Sequence, residues 1–393
     1  MSNLTDETII LDHKKLFFEK NYKIIKSKKI LYCFVFIVIL INIIIAIIIQ
    51  ISHHSFLTSL YKKEILKKIN DSYDKISYLE KEIIKLNEQN DKLIFNQDIN
   101  DKYIKEQNYF CDNSKIFYNK TIEDKIKLID IKFKDKQFNM FVYRKLDIVS
   151  NHINYKAWDE AQTSKMIFAL NYYSNKKNIK KEEVYIIDIG ANIGWYSFIL
   201  GKYGYKIISF EPSKINNYIL NKNYCLNKEI QITIINKGLY NEEKKCNLYN
   251  HIKNEGNGYL NCDQKHNLSK SFTKTGEIIL TKFSNYLHFF NNKNLVLIKI
   301  DAEGSEGKIF ENGIEYITKY HVPFIFLEFS PSLLKRLGSD PIQLLHLFAD
   351  NGYKFSTFDF FNNYIPVEDI LVKNLKQINL YIVYSKIVEI NNE

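Results

Sequence analysis

The sequence predicts an α/β domain with a mainly parallel sheet, carried behind one membrane-spanning helix and a helical stalk. Three observations predict it. Residues 30–51 form a run without a charge, a seven-residue apolar repeat follows, and from about Ile126 short β-rich runs alternate with helical stretches. A composition of 46% hydrophobic and 15% aromatic residues over 393 positions excludes disorder and low complexity. Only 13 Gly and 5 Pro exclude collagen-like designs, and five Cys are too few for a disulfide scaffold. The formal charge of +10 is carried almost wholly by Lys, since Arg144 and Arg336 are the only arginines. Nucleic-acid readers favour the arginine fork, so this basicity does not point to nucleic acid.

The apolar run Ile30 to Ile51 has 22 residues and only Asn42 and Gln50 as amides. As a helix it spans roughly 33 Å, enough to cross the hydrocarbon core. It is too long for a secretory signal and has no small-residue cleavage site. Six lysines lie in the 15 residues before it and two in the 15 after it. That asymmetry predicts a cytoplasmic basic tail at 1–29 and an exported C-terminal domain, luminal or extracellular. Ile69, Ile76, Ile83 and Asn90 then recur at seven-residue intervals, with Ile65, Leu79, Leu86 and Leu93 at the interleaved positions. This pattern reads as a stalk that pairs two chains in parallel, or as one amphipathic helix folded back on the domain. Stalk and linker fill 52–108, the stretch from Asn96 to Ser114 being polar and irregular, and the domain fills 109–393.

Within the domain, an apolar strand at Val184 to Ile187 meets Asp188, a turn with Gly190 and Gly194, and a helix near Trp195. A second strand, Lys206 to Phe210, ends in Glu211. Glycines suit a turn that bends sharply and approaches a ligand closely. Glu211 lies 23 residues after Asp188, the distance that sets a carboxylate beside the ribose of a nucleoside ligand. The D-x-G-x-x-x-G spacing is not the dinucleotide fingerprint, because Asn192 stands where a middle glycine would be. A later strand, Leu295 to Ile300, runs into Lys299, Asp301, Glu303 and Glu306, and Val322 to Phe329 brings Glu328 to the same edge. Alternation puts Lys299 and Asp301 on one face. So much charge at the carboxyl end of a central strand calls for a ligand or for mutual pairing. The structural alternative is an ion-pair network in which Lys299 neutralises Glu328 and Glu306 complements its helix dipole.

In order and spacing, DIGANIGWYSF, FEP and KIDAEGSE resemble the FkbM-type methyltransferases of the class I, S-adenosylmethionine-dependent fold, from roughly Asp147 to Tyr384. DIVSNHINYKAWDE (147–160) is similar to the segment this family places ahead of its first strand. The resemblance implies a Rossmann-like sheet of seven strands, the last antiparallel and near Leu380 to Ser385, after a sixth near Tyr353 to Phe358. It implies methyl transfer to oxygen of a sugar, polyketide or other hydroxylated molecule. Asp188, Gly190, Asn192 and Gly194 would line the methionine end of the cofactor, Glu211 would hold its ribose, and Asn236 would lie on the adenine side. The family carries an acid where this chain reads Lys282-Phe283-Ser284-Asn285. The polar stretch Asn241 to Gly276 would form a lid and acceptor-binding region, with Gly256-Asn257-Gly258-Tyr259 similar to the family's small-residue loop.

An alcohol acceptor needs a base or a polarising metal. Asp301 is the candidate for either role, with Glu303, Glu328 and Lys299 beside it, and three carboxylates suit Mg²⁺. Cys111 falls in the linker, where it would bridge two stalks; Cys246 and Cys262 bracket part of the lid as one disulfide or two buried thiols. The rival readings are an inactive methyltransferase-fold scaffold and a nucleic-acid methyltransferase. The aromatic N-P-P-Y/F loop of the latter is missing at Asp301 to Gly304.

Overall fold

The first strands, β1 (Ile126–Phe133) and β2 (Lys136–Tyr143), form an antiparallel hairpin that turns at Lys134, whose φ is 51°. The computed structural model describes residues 101–389 apart from 146, 155–157, 263–268, 292 and 374–376, together with Lys67. The basic tail, the apolar run at 30–51 and, Lys67 apart, the heptad segment lie outside the described residues. Among the described residues no helix is long and apolar enough to cross a membrane.

The next strands are apolar on both faces and must be covered on both. They are β3 (Val184–Ile189), β4 (Lys206–Phe210) and β5 (Ile232–Ile235). A second, four-stranded sheet follows: β6 (Gly238–Tyr240), β7 (Lys244–His251), β8 (Asn254–Asn261) and β9 (Phe272–Lys282), in the order β6-β9-β7-β8. The chain then returns to the main sheet with β10 (Asn294–Ile300), β11 (Phe324–Phe329), β12 (Tyr353–Ser356), β13 (Tyr364–Ile365) and β14 (Ile378–Tyr384). The main sheet has eight strands in the order β13-β12-β14-β11-β10-β3-β4-β5. β14 runs antiparallel to both β11 and β12, as the resemblance implies for the last strand, and the eighth strand is the two-residue β13.

Register explains the two-sided core. Ile187, Ile298 and Ile325 sit level on one face, and Ile186 pairs with Leu297 on the other. Each such fully buried side chain contributes about 1.5–3 kcal/mol. Because β3, β4, β10 and β11 are parallel, their carboxyl ends share one edge, which gathers the loops that follow them.

Two expectations are corrected. The stretch read as an irregular linker holds a helix over 101–112. Tertiary contacts hold this polar segment: Gln107 donates to Ile232 O and accepts from Ile234 N, capping the outer edge of β5. Cys111 does not bridge two chains; it pairs with Cys225, 114 residues on, closing a loop that contributes about 4–5 kcal/mol on the chain-entropy account. Cys246 and Cys262 form the second disulfide, joining β7 to the end of β8.

Candidate active site

Asp188, one residue before the end of β3, is almost completely buried, at 1% exposure. Its Oδ2 accepts from Ser197 Oγ at 2.5 Å, and its Oδ1 lies 3.5 Å from Lys299 Nζ. Lys299, on the neighbouring β10, also donates to Gly190 O at 3.0 Å and lies 3.7 Å from Asp301. Burial alone would depress the lysine, but Asp188, Asp301, Glu328 and Asp159 outweigh it and hold Lys299 above the ordinary lysine range. The turn after β3 then presses against the next strand's loop. Gly190 has φ +71°, and a Cβ there would stand 1.8 Å from Asp301 O. Gly194 starts the following helix (Trp195–Lys202), and a Cβ there would strike Phe198 and Leu220 at 2.6 Å.

Between these loops and β8 lies a cavity of about 80 Å³. Its lining is mixed in chemistry: Phe210, Pro212, Leu239, Leu248 and Leu280 are apolar, while Gly190, Asn192, Asp301, Glu303 and Ser305 present polar groups. Glu211 stands between Phe210 and Pro212 in the chain. It accepts from Asn192 N (2.8 Å) and Ser213 N (2.9 Å). Burial nevertheless pushes its carboxyl up to about 7, against those amides. Asn216, fixed by Tyr143 OH at 2.7 Å, donates to Gly256 O at 2.8 Å and so ties β8 to this wall. Gly256 has no room for a side chain, since a Cβ would lie 2.2 Å from Asp147 Oδ1. Asn192 Oδ1 and Ser305 Oγ are buried without a hydrogen-bond partner among the described residues, a condition that a ligand's polar groups would relieve.

Around Asp301 the carboxylates crowd. Burial, then the charges of Asp301 and Glu306, raise Glu303 to about 8; it accepts from Asn257 Nδ2 at 2.7 Å. Burial and Asp301, to which it is hydrogen-bonded, push Glu328 up to about 10, so it holds a proton at neutral pH. Glu306 accepts from Ala302 N at 2.8 Å and Gly304 N at 3.4 Å, which shapes the 301–305 loop. It is a scaffold group, as the structural alternative for this residue holds. Arg336 donates to Glu303 O at 3.2 Å and lies over the Tyr259 ring at 4.4 Å, joining that loop to β8.

Of the residues singled out in the sequence, Gly190, Asn192, Glu211, Asp301 and Glu303 line the cavity. Asp188, Gly194, Lys299 and Glu328 do not; Asp188 and Lys299 support the loops from behind and Gly194 packs one helix on another. Asn236 is exposed, because the chain turns directly after β5, where Lys237 N bonds Ile235 O; Gly238 and Leu239 line the wall instead. Ser284, at the position of the family's acid, is exposed and outside the cavity lining. The stretch read as a polar lid folds as β7, β8 and part of β9, and supplies Leu248, Gly256, Asn257, Gly258 and Leu260. Sequence reasoning missed Asn216 and Asp159. The latter lies in the segment ahead of the first strand and accepts from Tyr196 OH at 2.7 Å. Among the described residues no group of three His, Cys, Asp or Glu is placed to hold a metal. Glu303, raised to about 8, and Glu328, raised to about 10, favour their neutral forms at pH 7, so the set offers too little anionic oxygen to fit Mg²⁺.

Residues 188–355 match the family described as the methyltransferase FkbM domain. The match covers less than half of the chain, and every residue that lines the cavity lies within it. Among solved structures, the chain is similar to WbdD, described as a bifunctional kinase-methyltransferase. The identity is 10% over 58% of this chain and 40% of that one, with a TM-score of 0.34. It is also similar to a Pyrococcus abyssi tRNA (uracil-54, C5)-methyltransferase in complex with S-adenosyl-L-homocysteine (8% identity, 65% and 44% covered, TM-score 0.33). A third is the plantazolicin methyltransferase BamL (13% identity, 60% and 91% covered, TM-score 0.28). The chain spans about two fifths of the length of the WbdD chain it matches. No curated protein matches.

The Lys299–Asp188 pair yields a stability prediction. Lys299→Met strands Asp188 as a buried, uncompensated charge and should cost about 3–5 kcal/mol in denaturant unfolding. Adding Asp188→Asn should recover part of that loss; an additive double variant would show that the two groups do not interact.

Proposed function

We propose that this chain is a membrane-anchored, S-adenosylmethionine-dependent O-methyltransferase acting on a hydroxylated substrate, a sugar or glycan. The observation that carries the proposal is the cavity that Glu211 and Asp301 line together with both apolar and polar groups. An adenine ring suits the apolar slot walled by Pro212, Leu239 and Leu280, and ribose hydroxyls suit Glu211. The polar tail suits the unpaired Asn192 Oδ1 and Ser305 Oγ. When bound, the cofactor supplies a methyl group on a positively charged sulfur. The chain's own work is then alignment and proton removal. Asp301 would take the proton of the acceptor hydroxyl. Lys299 holds Asp301 in place, and Glu328 shares its proton with it.

The anchor and orientation rest on the charge-free run and the lysine asymmetry around it. Two disulfides among five cysteines support an exported domain, where thiols oxidise. The strict heptads support a parallel homodimer through the stalk.

Two outcomes are expected. Asp301→Asn should lower the turnover of labelled-methyl transfer to glycan fractions by about 10²–10⁴-fold while S-adenosylhomocysteine affinity stays within about twofold. Full transfer by this variant would remove Asp301 from the chemistry. The second outcome concerns pH. Glu211 has a folded-state value raised to about 7, so any stability it adds is present below its free value and lost as pH rises through about 7. Ligand hydroxyls prefer the ionised form. S-adenosylhomocysteine binding by calorimetry should therefore strengthen from pH 6 to 8, and Glu211→Gln should bind roughly 10–100-fold more weakly without that dependence.

A further inference from the structure

A second concavity, of about 620 Å³, lies apart from the cavity of the proposed reaction. One wall is the helix Glu160–Lys177, where Lys165, Phe168 and Tyr172 share a face; the other is the loop after β12, with Phe361 and Asn362. β12 ends on the same edge of the sheet as β10 and β11, so the groove opens where Asp301 does. The connection is short. Asp159 precedes the helix, binds Tyr196 and feels the charges of Lys299 and Asp301. Lys165 is six residues further on, about 9 Å along the axis.

The groove is aromatic, held rigid and cationic. Phe168 is 60% exposed, and Phe361 meets Phe168 and Tyr172 edge-on at 5.4 and 4.9 Å. The loop is fixed by its own hydrogen bonds: Ser356 Oγ accepts from the amides of Phe358 and Asp359, and Asp359 Oδ1 accepts from those of Phe361 and Asn362. Rings set in place before binding lose little freedom on binding. Asp359 also lines the groove; its carboxylate is hydrogen-bonded within its own loop, and its charge offsets one of the two lysines. Lys134 and Lys165 form no ion pair with a described residue; Lys165 donates to Phe358 O at 2.5 Å and stands over the exposed Phe358 ring at 4.7 Å. Exposed rings alternate with Ser164, Asn362, Asp359 and the two lysines, which leaves the lining with one net positive charge. Flat apolar sugar faces pack on such rings, ring hydroxyls bond the small polar groups, and sugar carboxylates pair with the lysines.

We propose that this groove holds an acidic oligosaccharide, leading its acceptor hydroxyl to Asp301. This rests on the methyl-transfer reading for its reaction, though binding in the groove does not need it. The full-length chain in mild detergent would be titrated calorimetrically with hexagalacturonate and with maltohexaose, each in the presence of S-adenosylhomocysteine. The expected result is saturable, salt-sensitive binding of the acidic probe and at least tenfold weaker binding of the neutral one. Phe168→Ala should weaken the acidic probe roughly tenfold, with Phe168→Tyr restoring it, and Lys134→Ala with Lys165→Ala should remove the salt dependence. All these variants should bind S-adenosylhomocysteine as the parent does, which also shows that they fold. Equal binding of both probes, no binding of either, or indifference to Phe168→Ala overturns the groove. If S-adenosylhomocysteine fails to bind the parent while hexagalacturonate binds through Phe168, the groove stands and the methyl-transfer reading falls.

Discussion

A buried lysine holds this site together. Lys299 emerges from the middle of the sheet, 5% exposed, and links three loop elements: the Asp188 carboxylate, the Gly190 carbonyl and the Asp301 carboxylate. Without it two acids would meet in a low-dielectric interior, and neither the first glycine turn nor the 301–305 loop would have a fixed position. Burying a charge costs several kcal/mol unless it is paired, and here the pairing coincides with the assembly of the cavity floor. The contact of Gly190 with Asp301 O completes the lock: the two loops meet backbone to backbone, with no side chain between them.

The rest of the cavity is built on that floor by elements that come from elsewhere in the chain. Asn216, on the helix Lys214–Leu226, reaches both Glu211 and the backbone of β8, so the second sheet is fastened to the first at that carboxylate. The disulfide between Cys246 and Cys262 and the stacking of Arg336 on Tyr259 hold the same strand at other points. A wall fixed at three places is a preformed site.

How much of this was legible in the sequence depends on the kind of interaction. The central strands were, because burial on both faces demands apolar runs such as the LVLI of β10 and the FIFL of β11. The glycine turn and Glu211 were legible as a spacing. Gly190 and Gly194 look alike in sequence, yet one opens space against a backbone and the other against Phe198 and Leu220. That difference exists only in three dimensions. The partner of Cys111 lies 114 residues away, and the helix over 101–112 is held by contacts its own composition does not announce. The second sheet was the largest omission. β7 and β8 carry mostly polar side chains, so hydrophobicity does not mark them, and the stretch read as a lid is a wall.

The central claim is that an adenosyl compound occupies the space between Glu211, Asp301 and β8. Hydrogen–deuterium exchange on the full-length chain, with and without saturating S-adenosylhomocysteine, tests it directly. The account predicts slowed exchange in three separate stretches at once, 189–194, 211–217 and 254–260, with little change around β1 and β2. Unchanged exchange in all three, or protection confined to the β1–β2 hairpin, would contradict it.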